Sequence, residues 1–259
     1  MKDFTQVYFS NAIKFFKEEF INKWKLEEYT NPNKPAIFLG LYNPTDHQVV
    51  KNHKSYGIVS LTGGDMVSKN LNFTQSIVDN KRIFCYQAPG SPSNIVKKYS
   101  IPHKSLFIAM KDYSAYSLCP LGKNIYIYKG IHGNSSDYYK FNSVISPLIE
   151  EFGKDRIIYT KFKSPQELIE NYYKDCFVYV KPNDLGGATS MFELAHMGRK
   201  TLGGGFPGLD YLVNYKDIYN LINLIQEEAK YIGVTREEIS TQAKNTFIGD
   251  EWLNLSYWL

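Results

Sequence analysis

The run Tyr179-Val180-Lys181-Pro182-Asn183-Asp184-Leu185-Gly186-Gly187-Ala188-Thr189-Ser190-Met191-Phe192-Glu193-Leu194-Ala195-His196-Met197-Gly198 passes from a strand, through a glycine pair, into a helix. The strand is the apolar string Cys176 to Val180, and Gly198 stops the helix. Free backbone amides and the positive end of the dipole make such a helix start an anion site. The glycines let a phosphate approach the backbone. Glu193 falls about one turn in, where a carboxylate can accept two ribose hydroxyls. A second reading has equal claim: Ser190-x-x-Glu193 also spells a capping box, in which the glutamate serves only its own helix.

On either side of this run the pattern repeats. Asn124 to Gly130, Arg156 to Thr160 and Cys176 to Val180 read as strands. Helices are predicted over 141–152, 165–173, 189–197, 215–231 and 235–247, with Ser164 as a cap and Pro165 at a first helical position. The first half alternates in the same way. Strands are predicted at Ala36–Tyr42, Tyr56–Leu61, Arg82–Tyr86 and Ser105–Met110, with a helical stretch at 46–54 and a helix or loop at 72–80. Continuous apolar runs are strands buried on both faces, and their alternation with helices argues for parallel sheets. Cys119-Pro120-Leu121-Gly122-Lys123 is a joint, which divides the chain into domains 1–121 and 122–259. The fold class is therefore α/β, with two Rossmann-like domains and a cleft between them. Ligands bind beyond the carboxyl ends of such strands.

The opening segment reads as an amphipathic helix, with Phe4, Tyr8, Ile13, Phe16, Phe20 and Trp24 at three-to-five-residue spacing. It is expected to lie on its domain. Membrane-surface contact through residues 4–24 is the weaker reading, because acidic residues match the lysines. The same alternating charge, with no uninterrupted apolar centre, argues against a signal peptide.

Composition narrows the class. The 259 residues are 43% hydrophobic and 22% charged, which excludes a disordered or low-complexity chain. No apolar run approaches the roughly 20 residues of a spanning helix. Cys85, Cys119 and Cys176 match no disulfide or metal spacing, so a reducing, cytoplasmic compartment is expected. The net charge of +4 suits an anionic small ligand as well as nucleic acid. The 21 tyrosines fall at core positions rather than along a basic stripe, so nucleic-acid binding is not expected.

Several motifs can be set aside. Gly203-Gly204-Gly205-Phe206-Pro207-Gly208 spells G-x-G-x-x-G, but Pro207 stands where amides should meet a pyrophosphate, and no acid-ended strand follows. It reads as a glycine loop. No Walker A sequence, H-E-x-x-H, G-x-S-x-G or D-x-D pair occurs. In the first half, Thr62-Gly63-Gly64-Asp65 follows a strand, so Asp65 can face a ligand, although an ordinary glycine turn explains it too. His103, in Ile101-Pro102-His103-Lys104, is a candidate base or a surface loop histidine.

The segment around Glu193 resembles the donor-binding element of GT-B-fold glycosyltransferases, especially the retaining group that includes sucrose- and glycogen-synthase-like enzymes. The resemblance extends over most of residues 122–259. It takes in the strand ending Tyr128-Lys129-Gly130, the run Gly198-Arg199-Lys200-Thr201-Leu202, and Phe247-Ile248-Gly249-Asp250-Glu251-Trp252, which looks like the stretch before that family's returning last helix. It implies that Glu193 binds a nucleotide ribose. Gly187, Ala188 and Thr189 would offer amides to the diphosphate, and Lys140 would neutralise it. Two positions depart from the family. Leu185 stands where a second glutamate is usual, and Ile131 where an arginine is common.

The implied activity is transfer of a sugar from a nucleotide-diphosphate donor to a carbohydrate or glycan acceptor. No cofactor is expected, and no metal, since no D-x-D pair is present to hold one against the diphosphate. The catalytic candidates are Asp65 and His103. The alternative is a non-catalytic nucleotide- or sugar-binding protein of the same fold, in which Leu185 marks lost chemistry.

Overall fold

A computed structural model describes residues 2–61, 68–78, 82–88, 99–128, 141–160, 163–182, 188–203 and 208–259. The chain divides into two compact units. One comprises Met1–Asp112 and Phe247–Leu259, the other Tyr113–Thr246.

The described strands of the first unit are β1 (Gln6–Phe9), β2 (Glu27–Glu28), β3 (Ala36–Leu39), β4 (Gly57–Leu61), β5 (Ile83–Gln87) and β6 (Lys104–Ser105). All pair in parallel, in the order β2-β1-β3-β4-β5-β6. Helices α1 (Lys17–Trp24), α2 (Pro44–Asn52) and α3 (Ser68–Val78) connect them. One sheet face carries Ala36, Phe38, Val59, Leu61, Ile83 and Cys85 and packs with Leu71, Ile77 and Val78 of α3. Successive residues on a strand face opposite ways. Tyr86 therefore meets the other layer, where its ring lies 6.2 Å from that of Trp252.

The opening segment differs from its predicted helix. Residues 6–9 form β1, and the helix starts only at Lys17 after a 3₁₀ turn over Asn11–Phe16. The reason is burial on two sides. β1 lies between β2 and β3, and Phe4, Gln6, Val7 and Ser10 are all buried. The strand expected at 105–110 also shrinks, to the two residues of β6. Past Leu106, whose amide still donates to the Gln87 carbonyl, the chain leaves the sheet, and the Ala109 carbonyl accepts from the Trp24 indole at 2.8 Å.

Where β3 ends, Gly40 adopts φ +82°, a left-handed turn that suits glycine. A Cβ there would stand 2.4 Å from the Tyr42 ring. The turn leads into α2, whose start is organised by Asp46. Its Oδ1 accepts from the Tyr8 hydroxyl at 2.7 Å. Its Oδ2 accepts from Ser10 Oγ and from the amides of Tyr42 and Asn43 at 2.8–3.1 Å. The Asn43 side chain returns a bond to the Asp46 amide, completing a capping box. Burial and the Asp46 carboxylate together hold the Tyr8 hydroxyl protonated, as its donor role requires. Asp46→Ala is expected to cost about 2 kcal/mol, since four donors, Ser10 buried and the others half-buried, lose one acceptor. A thermal melt with an unchanged midpoint would refute that role.

The C-terminal stretch belongs to this unit. The amides of Asp3 and Phe4 donate to the Leu253 carbonyl, and the Ile248 amide donates to that of Phe107, each at 3.0 Å. Trp252 is fully buried, edge-on to Trp24 at 5.3 Å. The backbone there forms two 3₁₀ turns, Glu251–Leu253 and Leu255–Tyr257.

The second unit carries β7 (Asn124–Tyr128), β8 (Ile157–Thr160), β9 (Cys176–Val180), β10 (Lys200–Leu202) and β11 (Leu212–Val213), again all parallel, in the order β11-β10-β9-β7-β8. Its helices are α4 (Ser146–Phe152), α5 (Pro165–Leu168), α6 (Ala188–His196), α7 (Ile218–Ala229) and α8 (Glu237–Asn245). Ser164 caps α5 by accepting from the Glu167 amide at 3.2 Å. One face of the sheet is aliphatic: Ile125, Ile127, Val178, Val180 and Leu202 pack with Leu148 of α4 and with Leu221 and Ile225 of α7. The residues alternating with these are polar-tipped. Tyr126, Tyr179 and Thr201 stand in register across β7, β9 and β10 and are buried.

Candidate functional site

The strand order of the second unit reverses at β7. β7 leads to β8 on one side, and the chain then crosses back to place β9 on the other. The boundary between β7 and β9 is a topological switch point, outside whose carboxyl ends open α/β sheets bind ligands. In the sequence, residues 129–140 come after β7, and residues 181–187 come between β9 and α6. Lys140 and Gly187 lie in these segments, outside the described residues, as does Asp65 in the first unit.

The described part of the site centres on Glu193. It sits in the second turn of α6 and is only 3% exposed. Burying a carboxylate costs several kcal/mol unless hydrogen bonds compensate it. Here two tyrosines supply them. Tyr116 donates to Oε1 at 3.0 Å and Tyr173 to Oε2 at 2.6 Å. Tyr173, from the π turn Ile169–Tyr173 just before β9, also reaches Ser190 Oγ at 3.2 Å. Burial, and then the charge of Glu193, push its hydroxyl well above the usual tyrosine range, so it stays a donor. Behind it, Tyr126 stands edge-on at 5.1 Å and shares a hydrogen bond with Thr160 at 2.7 Å. A layer of hydroxyls thus runs from the carboxyl end of β8 to Glu193.

The helix opens at Ala188, so Ser190 already lies inside it. The capping box that Ser190 and Glu193 spell is not how this helix begins. Thr189 is half-buried in the first turn. His103 belongs to the first unit, next to β6 in the chain, with its Nδ1 2.9 Å from the Ile101 carbonyl.

Two further features hold the site. Tyr113 stacks on His196 of α6 at 4.8 Å, which explains why Tyr113 and Tyr116 group with the second unit rather than with the strands before them. Arg199, fully buried just past α6, donates to the carbonyls of Cys119, Pro120, Lys174, Cys176 and Met197. It ties residues 119–120, which lie inside the second unit rather than at its edge, to the start of β9 and to the end of α6. Gly203, the first glycine of the G-x-G-x-x-G run, has φ +95°, and a Cβ there would stand 2.3 Å from the Lys181 carbonyl. It is needed for packing against the end of β9.

Sequence reasoning passed over Tyr116, Tyr173 and Arg199. No spacing marks them: Tyr116 lies 77 positions and Tyr173 20 positions from Glu193. Arg199 stands between Gly198, past the end of α6, and β10, and no local pattern marks it as a charge carried inside.

Among the described residues, no group of three His, Cys, Asp or Glu side chains is placed to hold a metal ion. None of the described helices is long and apolar enough to cross a membrane.

No family model and no curated protein matches the chain. Solved structures do. Sucrose-phosphate synthase from Thermosynechococcus elongatus aligns over 94% of this chain and 75% of its own, with a TM-score of 0.57 at 12% identity. A protein described as a UDP-N-acetylglucosamine 2-epimerase from Listeria monocytogenes aligns over 98% of this chain and 94% of its own, with a TM-score of 0.42 at 10% identity. Two Rossmann-like units in one chain, each with a doubly wound parallel sheet, make this a protein of the GT-B fold.

Proposed function

We propose that the protein is a glycosyltransferase that moves a sugar from a nucleotide-diphosphate donor to a carbohydrate or glycan acceptor without a metal ion. The observation that carries this reading is Glu193, a buried, hydroxyl-held carboxylate on the helix that follows the strand at the β7/β9 switch point. The likeness to sucrose-phosphate synthase supports it at the level of fold. In this reading Glu193 accepts the ribose hydroxyls. The amides of Gly187, Ala188 and Thr189 meet the diphosphate at the positive end of α6, and Lys140 adds a point charge. Preorganised donors of this kind stabilise the charge that develops on a leaving diphosphate. Asp65 and His103 of the first unit are the candidate groups on the acceptor side.

A thermal-shift screen of UDP-, GDP-, ADP- and dTDP-sugars tests the donor. A ligand at 100 times its dissociation constant should raise stability by about 2.7 kcal/mol. Hydrolysis or transfer of the stabilising sugar nucleotide is expected to persist in EDTA. Activity lost in EDTA and restored by Mn²⁺ would overturn the metal-independent mechanism. Binding with no turnover would favour the non-catalytic reading that Leu185 raises. No stabilisation by any donor would overturn both.

A further inference from the structure

We infer that Tyr116 and Tyr173 are positioning residues of the donor site, and that they tune it to ribonucleoside diphosphates over nucleotides lacking the sugar hydroxyls. This deepens the proposed function and rests on its reading of Glu193 as the ribose acceptor.

A glutamate has three side-chain torsions, and one that must accept hydroxyls from a ligand loses affinity for every rotamer it has to abandon. Here each carboxylate oxygen is engaged by a different phenol. The two phenols come from parts of the chain on opposite sides of β7 in sequence: Tyr116 precedes it, and Tyr173 sits immediately before β9. Two donors on two oxygens fix both the plane and the direction of the carboxylate, which one donor cannot do.

The donors are themselves held. Tyr116 is buried, its amide bonds to the Tyr113 carbonyl at 3.0 Å, and its ring lies 6.1 Å from that of Tyr113, which stacks on His196 of the same helix. Tyr173 is fully buried, edge-on to Tyr126, with Ser190 Oγ as a second contact. Burial and the neighbouring Glu193 charge keep the Tyr173 hydroxyl protonated across the physiological range. A purely structural acid could be braced from its own helix. This one is braced from two separate segments, which makes its orientation a property of the whole unit.

Titration calorimetry with UDP, GDP, CDP and ADP, and with the 2′,3′-dideoxy counterpart of each, tests the inference in wild type, Tyr116→Phe, Tyr173→Phe and Glu193→Ala. The dideoxy nucleotides offer Glu193 nothing to grip. Each tyrosine variant is expected to weaken the bound ribonucleotide by about 5–10-fold, the worth of one lost orienting hydrogen bond, and to leave the dideoxy form unchanged. Equal weakening of both forms would make the tyrosines general packing residues, and no weakening of either would make them irrelevant to binding. Either result overturns the inference while the ribose reading stands, provided that Glu193→Ala collapses the ribo-to-dideoxy preference. If Glu193→Ala leaves that preference intact, or no ribonucleotide binds wild type, the ribose reading falls and the inference with it. The two tyrosines are tested separately, so if one variant fails to fold, the other still decides.

Discussion

Arg199→Met is expected to lower the stability of the second unit by about 3–5 kcal/mol, because several buried carbonyls lose their donor at once and each such loss costs about 1–3 kcal/mol before relaxation. The guanidinium has five N–H donors in a fixed fork, and here carbonyls on three separate segments receive them. No described carboxylate bonds to it; its charge rests on carbonyl dipoles, among them that of Met197 just past α6, where the helix dipole favours a cation. Domains are stable by only about 5–15 kcal/mol, so the variant should unfold at a much lower urea concentration. Arg199→Lys keeps the charge but not the fork and should fall between the two. A lysine variant as stable as wild type, or a methionine variant within about 1 kcal/mol of it, would mean that the cage contributes little.

Glu193→Ala is expected to weaken nucleotide binding by about 1.5–3 kcal/mol, roughly 10- to 150-fold, the scale of hydrogen bonds to a charged group. The same change removes the acceptor of both the Tyr116 and Tyr173 hydroxyls, so stability should fall as well. The two effects separate in one experiment, since calorimetric affinity is measured well below the melting temperature. Loss of stability with unchanged affinity would make Glu193 a buried brace, and the donor site would have to lie elsewhere. Glu193→Gln sharpens the test. The amide keeps the shape but presents NH₂ to one hydroxyl, so it should retain more stability than alanine while still losing ribose affinity.

The local elements were largely legible in the sequence. The strings Ile37-Phe38-Leu39, Ile58-Val59, Ile125-Tyr126-Ile127 and Phe177-Val178-Tyr179-Val180 are strands because a residue buried on both sheet faces must be apolar at every position. Ser164-Pro165 begins α5 because a hydroxyl cap and a preset φ both favour a first turn. The opening strand was not legible. Aromatics at Phe4 and Tyr8 suit a helix face as well as a strand, and only the pairing of residues 6–9 with β3 decides between them.

By itself, then, the sequence determined that this is a parallel α/β protein with a glycine-led helix carrying Glu193, because apolar runs, caps and glycines act over a few neighbouring residues. The tertiary structure alone decided the strand orders that set β7 beside β9, the carbonyl cage around Arg199, and the meeting of Tyr116 and Tyr173 on Glu193. Those depend on strand registers and crossovers that join residues far apart in the chain, and no local preference encodes which distant hydroxyl will reach a buried carboxylate.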